Sequence, residues 1–254
     1  MDLGIAGKKA IVCASSRGLG RGCALALAEA GCELTVNGRD AASLRRTAED
    51  LRGRFGVGVT EVVGDVADPV VQSALLAACP EPDILVNNNG GPPRRAFAEL
   101  TRDDILKGVV NNMVTPLELV QAVVDGMAKR GFGRIVNITS LSVYVPIPGL
   151  DVSSGARAGL TSFLAGVART VADRNVTINN LLPGKHDTDR LKGAMPQGGT
   201  EEERRRALVA DIPARRLGTP EEFGQICAFL CSVHAGYLTG QNIPVDGGSY
   251  VSAF

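Results

Sequence analysis

The chain has 254 residues, 27 basic and 27 acidic side chains, no tryptophan, an isoelectric point near 6.7 and a mean hydropathy of +0.09. That length suits one large core. The balanced charge offers no basic surface to a polyanion, which argues against a nucleic-acid partner. No apolar run reaches membrane-spanning length, and the opening MDLGIAGKKA lacks the apolar core of a signal peptide, so no membrane partner and a cytoplasmic location are expected. The six cysteines show no CxxC spacing and only His186 and His234 could join them, so no metal site is expected.

The first element is an apolar strand over 9–13. A loop of small residues with Gly18, Gly20 and Gly22 follows, then an Ala/Leu-rich helix over 18–30 that Gly31 closes. Strand, tight turn and helix aim backbone N–H groups and a helix N-terminus at whatever lies above, which suits a pyrophosphate. Ser15, Ser16, Arg17, Gly18, Leu19 and Gly20 are the candidate contacts. The next strand, 33–36, leads to Asn37 and Arg39. A NAD site places a carboxylate about 20 residues after the glycines to grip the ribose 2′-hydroxyl. Here Arg39 offers a guanidinium that fits a 2′-phosphate, and Arg17 could add a second. NADP(H) is expected over NAD; two solvated arginines are the alternative.

A helix over 40–53 and a strand over 57–63 lead to Asp65-Val66. A helix over 69–79 and a strand over 83–87 lead to Asn88, Asn89 and Gly90. The loop 91–99 contains Arg94 and Arg95, which either meet an anionic substrate or form a solvated pair. The helix expected over 101–130 holds Asn112 and has apolar residues on more than one face, for the sheet and for a partner helix, so self-association is expected. A strand over 134–138 precedes Ser140. In the helix over 152–174, Ala156, Leu160, Phe163, Leu164, Val167 and Val171 recur as one buried stripe. A strand over 176–182 runs into Pro183-Gly184, with His186 and Thr188 beyond. The polar stretch near 190–212 reads as a lid or a solvated excursion. Thr219-Pro220-Glu221-Glu222 is a helix start for 220–232, and a strand over 241–245 ends the series. Alternation of apolar strands and helices implies an α/β fold of Rossmann type: one domain over 1–254, a seven-stranded parallel sheet with helices on both faces. The candidate residues lie at or near the carboxyl ends of strands, where open sheets of this kind bind ligands.

Together with the tail LTGQNIPVDGG, these residues resemble the classical short-chain dehydrogenase/reductases over essentially the whole chain, closest to the 3-oxoacyl-acyl-carrier-protein reductase branch. The resemblance implies an NADP(H)-dependent oxidoreductase acting on a small-molecule carbonyl or alcohol, assembled as a homo-oligomer, tetramer or dimer. It places Asp65, Val66, Asn88, Asn89, Gly90, Arg157, Pro183, Gly184, His186 and Thr188 with the cofactor, and Ser140 and Asn112 in catalysis. The TGxxxGxG signature appears with Cys13 for Thr and Ala14 for the first Gly, and NNAG appears with Asn89 in the Ala position.

The family's Tyr donates a proton to the carbonyl oxygen, its Lys binds the nicotinamide ribose and lowers the phenol pKa, and its Ser bonds the substrate oxygen. Counting thirteen residues from Ser140 reaches Ser153, and four more reach Arg157, so S-x-x-x-R replaces Y-x-x-x-K. An aliphatic hydroxyl is a far weaker acid than a phenol and shorter in reach. Arg157 keeps a positive charge that can hold ribose hydroxyls or favour an oxyanion. Three substitutes for the acid stay open: Tyr144 (otherwise a pocket wall), His186 (otherwise a locally bonded loop residue) and Ser140 with bound water. Three readings therefore stand side by side: a reductase with a non-standard proton donor, an NADP(H)-binding protein with little or no turnover, and an enzyme whose chemistry needs no strong acid at that place.

Overall fold

The structure is a computed structural model that describes residues 1–193 and 198–252. Its strands are β1 (Lys9–Val12), β2 (Glu33–Gly38), β3 (Val59–Val63), β4 (Ile84–Asn87), β5 (Gly133–Ile138), β6 (Val176–Pro183) and β7 (Asn242–Val245). The helices are α1 (Gly18–Glu29), α2 (Ala41–Phe55), α3 (Pro69–Ala78), α4 (Arg102–Val109), α5 (Thr115–Arg130), α6 (Asp151–Val171), α7 (Asp189–Lys192), α8 (Glu201–Val209) and α9 (Pro220–Cys231). All strand pairings are parallel and the order is β3-β2-β1-β4-β5-β6-β7. Chain order reverses between β1 and β4, which opens a crevice at their carboxyl ends. This is the expected Rossmann-type sheet.

Two apolar layers sandwich it. Ile5, Val12, Leu27, Leu34, Val36, Leu44 and Phe223 join one face to α1, α2 and α9. Ile11, Leu75, Leu85, Leu119, Val123, Ile135, Leu160 and Ile178 join the other to α3, α5 and α6. Each such side chain, fully buried, contributes about 1.5–3 kcal/mol. The α1–α9 crossing is backbone-close: a Cβ at Gly22 would overlap the Pro220 carbonyl, and one at Gly224 the Gly22 carbonyl. The buried thiols of Cys23, Cys227 and Cys231 fill that seam as small apolar groups.

Helix starts follow local chemistry. Thr219 accepts from the Glu222 N–H while Glu222 returns to the Thr219 N–H, with Pro220 in the first turn. Two expectations need correction. The single helix over 101–130 is interrupted by a π-helical turn, Val110–Val114, because Pro116 has no N–H for the Asn112 carbonyl four residues back; the Thr115 N–H bonds the Val110 carbonyl instead. Phe163 does not join the buried stripe of α6: at 54% exposure it stands on the solvent side, since Leu160 and Leu164 already occupy the sheet-facing line. In the stretch near 190–212, α7 and α8 are helical, and residues 194–197 lie outside the described residues.

Candidate functional site

The β1–α1 turn is built from inside. The Ser15 hydroxyl donates to the Val12 carbonyl at 2.8 Å and accepts from the Asn37 N–H at 3.1 Å. Asn37 Oδ1 accepts from the Ala14 N–H at 3.1 Å, and its Nδ2 donates to the Val62 and Gly64 carbonyls at 3.0 and 3.1 Å. Ser15 and Asn37 therefore hold β1, β2 and β3 in line beneath the turn. Ala14, in the place of the family's first Gly, has φ of +44°, a left-handed conformation costing about 1–2 kcal/mol for a residue with a Cβ. Gly18, with φ of +57°, comes within 3.6 Å of Thr188 Cγ2 measured from an added Cβ. A Cβ on Gly20 would overlap the Ala14 carbonyl and lie 2.7 Å from Asn88 Nδ2. Only glycine lets that backbone close, and the closed turn is a cradle that fits a pyrophosphate.

Two arginines stand at its rim. Arg39 Nη1 is 3.9 Å from Asp65 Oδ2 and Arg17 Nη1 is 4.0 Å from Asp189 Oδ2, with both arginine side chains 70% exposed. Pairs so open hold little energy and release the guanidinium readily. The Ser16 carbonyl accepts from the Thr47 hydroxyl at 3.0 Å, while Leu19 packs on the core.

The β4 end is tied to the turn and to the π-helical segment by amides. Asn88 Nδ2 donates to the Ala14 carbonyl at 3.2 Å, Asn89 Nδ2 to the Asn111 carbonyl at 3.1 Å, and Asn112 Nδ2 to the Gly90 carbonyl at 3.3 Å. Asn89 thus adds a strut that alanine could not make. A further set was not singled out in the sequence: Asn87, Asn137, Asn180 and Asn242 are adjacent in register on β4 to β7. Each of the first three donates its amide to the next at 2.8–2.9 Å. The signal was an asparagine at the corresponding position of four strands, visible only once register is known. Asn87 Oδ1, Asn112 Oδ1 and Thr115 Oγ1 are buried with no partner among the described residues, and they border a cavity of about 20 Å³ shared with Cys13, Val66 and Arg157. That is room for one water.

Ser140 follows β5; its Oγ accepts from the Ser142 N–H at 3.1 Å, leaving its O–H for a ligand. Ser153 and Arg157 meet one turn apart on α6. Arg157 Nε donates to Ser153 Oγ at 3.1 Å and Nη1 to the Ile138 and Thr139 carbonyls at 2.7 and 2.8 Å. Burial, with Arg190 nearby, pulls the Arg157 pKa from 12.5 to about 10. Ser153 also borders a separate cleft of about 260 Å³ with Pro92, Pro93, Lys107, Asn111 and Gly149. Tyr144 is 40% exposed and stacks on Tyr250, centroids 5.0 Å apart. Pro183 ends β6, and Gly184 bonds the Val245 carbonyl at 3.0 Å.

His186 turns inward. Its ring is edge-on to Phe223 at 5.3 Å, its Nδ1 is 3.4 Å from the Gly184 carbonyl, and burial lowers its pKa below the ordinary 6.5. A histidine held neutral in the folded state binds fewer protons than the unfolded chain as pH falls through 6.5, so that region of acidity should cost stability. We expect Tm to fall between pH 7.5 and 5.5, and His186→Phe to shrink that fall; an equal fall in the variant would dismiss His186 as its cause.

A Rossmann sheet with a glycine turn at its crevice is the fold of a nucleotide-binding α/β protein, and this one carries Asn112 on a π turn and Ser140 beyond β5. A family model described as enoyl-(acyl carrier protein) reductase matches residues 13–250, and the chain belongs to the short-chain dehydrogenase/reductase family, near its 3-oxoacyl reductase branch. It is similar to 3-oxoacyl-[acyl-carrier-protein] reductase FabG of Pseudomonas aeruginosa, 35% identical over 253 residues that cover 98% of this chain and 100% of that one. Acetoacetyl-CoA reductase of Cupriavidus necator is 38% identical over 171 residues, 67% of each chain. The crystal structure of L-sorbose reductase from Gluconobacter frateurii, complexed with NADPH and L-sorbose, matches with a TM-score of 0.93 at 29% identity, covering 99% of this chain and 100% of that one.

Proposed function

We propose that the protein is an NADP(H)-dependent reductase of a ketone or aldehyde, the 3-oxoacyl type included, and that Tyr144 supplies the proton that Ser153 cannot give. The observation that carries the reading is the closed glycine turn, with Gly20 against the Ala14 carbonyl and Asn88. Arg39 and Arg17 at its rim favour the phosphorylated cofactor, and the NADPH-bound L-sorbose reductase supports the same choice.

NADPH, when bound, supplies the hydride. The protein's part is to place and protonate. Ser140 donates its O–H to the substrate oxygen, and the Tyr144 O–H passes its proton to that oxygen. Because Tyr144 is partly exposed, its phenolate regains a proton from solvent. We also propose a cytoplasmic homo-oligomer, tetramer or dimer, of single-domain chains; exposed Ile105, Leu106 and Val110 near α4 and Phe163 on α6 support the association.

The engagement of Arg157 Nε and Nη1 within the protein favours a second reading, a binder of NADP(H) with little turnover. NADPH consumption over a panel of ketones and aldehydes separates the two. The reductase consumes NADPH with at least one carbonyl class; binding with no consumption across the panel would establish the second reading.

A further inference from the structure

Three arginines near the substrate side of the site have no ion-pair partner among the described residues: Arg94, Arg157 and Arg190. Arg190 donates from α7 to the Gly91 and Pro92 carbonyls at 3.1 and 3.3 Å. Its pKa is lowered by burial and by Arg94, as that of Arg157 is by burial and by Arg190. The neighbouring carboxylates are engaged or turned outward: Asp104 bonds Arg95 at 2.7 Å and Thr101, and Asp151 is exposed at the start of α6. Of the three only Arg157 is buried, while Arg190 and Arg94 stand at exposed positions and lend their field; a buried positive charge persists where something negative completes it.

The chain contains its own control. Arg134 is, like Arg157, a buried arginine with no carboxylate partner among the described residues. Its Nε bonds the Ser232 carbonyl, its Nη1 the Gly133 and Asn175 carbonyls, and its Nη2 the Asn175 Oδ1. Its guanidinium lies 4.3 Å over the Phe132 ring. Every nitrogen is engaged. Arg157 differs: among the described residues no ring covers it and none accepts from its Nη2, which carries two donors. Nε and Nη2 share one edge of the planar group, so an oxygen accepting from Nη2 on that edge lies beside Ser153 Oγ. The Ser153 oxygen already accepts from Nε, and its O–H points to no described acceptor. Two donors on neighbouring residues are therefore left over, one on Ser153 at the border of the cleft of about 260 Å³ and one on Arg157 beside it.

We infer that Ser153 and Arg157 form a carboxylate subsite, so that the carbonyl compound acted on is a free oxo acid, its carboxylate bound by the Arg157 Nη2 and Ser153 O–H in the field of Arg190 and Arg94. This rests on the reductase reading above and names its substrate class. It assigns the S-x-x-x-R pair a task of its own: the guanidinium is anchored by the β5 carbonyls so that one edge stays presented. An anion bound there also neutralises the buried charge.

The test is calorimetric, on the full chain with and without saturating NADP⁺, using acetoacetate against methyl acetoacetate and pyruvate against methyl pyruvate. Each pair keeps the ketone and differs in charge. At least one acid should bind at least about tenfold tighter than its ester, the scale of one charge-assisted contact. Arg157→Gln should bring that ratio to within about twofold, and Arg157→Lys, which keeps the charge without the fork, should retain part of it. Equal binding of acid and ester in both pairs, or a preference undiminished in Arg157→Gln, would overturn the inference. If Arg157→Gln does not fold, the wild-type ratio and Arg157→Lys still decide. The heat of NADP⁺ binding reports on the reductase reading separately: its absence would count against that reading, while the acid-to-ester ratio of the cofactor-free chain would still judge the subsite.

Discussion

Tyr144→Phe is expected to lower kcat for carbonyl reduction by about 10²-fold or more, the usual worth of a positioned general acid, with NADPH affinity unchanged within about twofold. The phenyl ring keeps the stacking on Tyr250, whose own N–H is fixed to Asp246 Oδ2 at 2.7 Å, so the loop should hold its shape and only the hydroxyl is lost. A fall in kcat without a rise in KM identifies an interaction made in the transition state. Tyr144→Leu, which removes the stacking too, separates a wall from an acid: a wall loses function in Leu and keeps it in Phe. Full activity in Tyr144→Phe would leave Ser140 and a bound water as the proton route.

The second large effect is a gain. Ser153→Tyr with Arg157→Lys restores the family's Y-x-x-x-K and should raise kcat/KM for neutral ketones by about 10²-fold. Ser153 borders a cleft of about 260 Å³, so a phenol there has room without overpacking. Both changes are needed, because Arg157 as it stands occupies the Ser153 oxygen and the Ile138 and Thr139 carbonyls. Removing the fork leaves those buried carbonyls dependent on one ammonium, at a cost of about 1–3 kcal/mol for each acceptor left unmet. The double variant should therefore melt lower than wild type while turning over faster. The same pair of changes removes the Ser153 O–H and the guanidinium fork and should lower a preference for free oxo acids. No gain in a folded, NADPH-binding double variant would place the limit on turnover elsewhere than in the 153–157 pair.

Much of the fold was legible because strands buried on both faces are continuously apolar and helices carry their own caps. Thr219-Pro220-Glu221-Glu222 shows both signals in four residues. The glycine turn was legible for the same reason, since Gly18 and Gly20 occupy positions that a Cβ would strain or block. What escaped depended on partners distant in sequence or on backbone. Pro116 interrupts the helix through a carbonyl that its own sequence position does not advertise. Phe163 reads as core by period alone, yet two leucines fill the line it would share. The Asn87–Asn137–Asn180–Asn242 ladder exists only through parallel register. Ser153 and Arg157 stood out in the sequence as a missing tyrosine and lysine. That the arginine is clamped to the end of β5, with one edge left over, is a fact about carbonyls with no residue signature.

The central claim is a nucleotide cradle that prefers the phosphorylated cofactor, and titration of NADPH and NADH by nicotinamide fluorescence, in wild type and Arg39→Ala, tests it most directly. Wild type should bind NADPH at least about tenfold tighter than NADH, and Arg39→Ala should lose most of that difference by weakening NADPH alone, as expected for a guanidinium on a 2′-phosphate. Failure of the wild-type chain to bind either nucleotide, or binding of NADH as tightly as NADPH, would contradict the account.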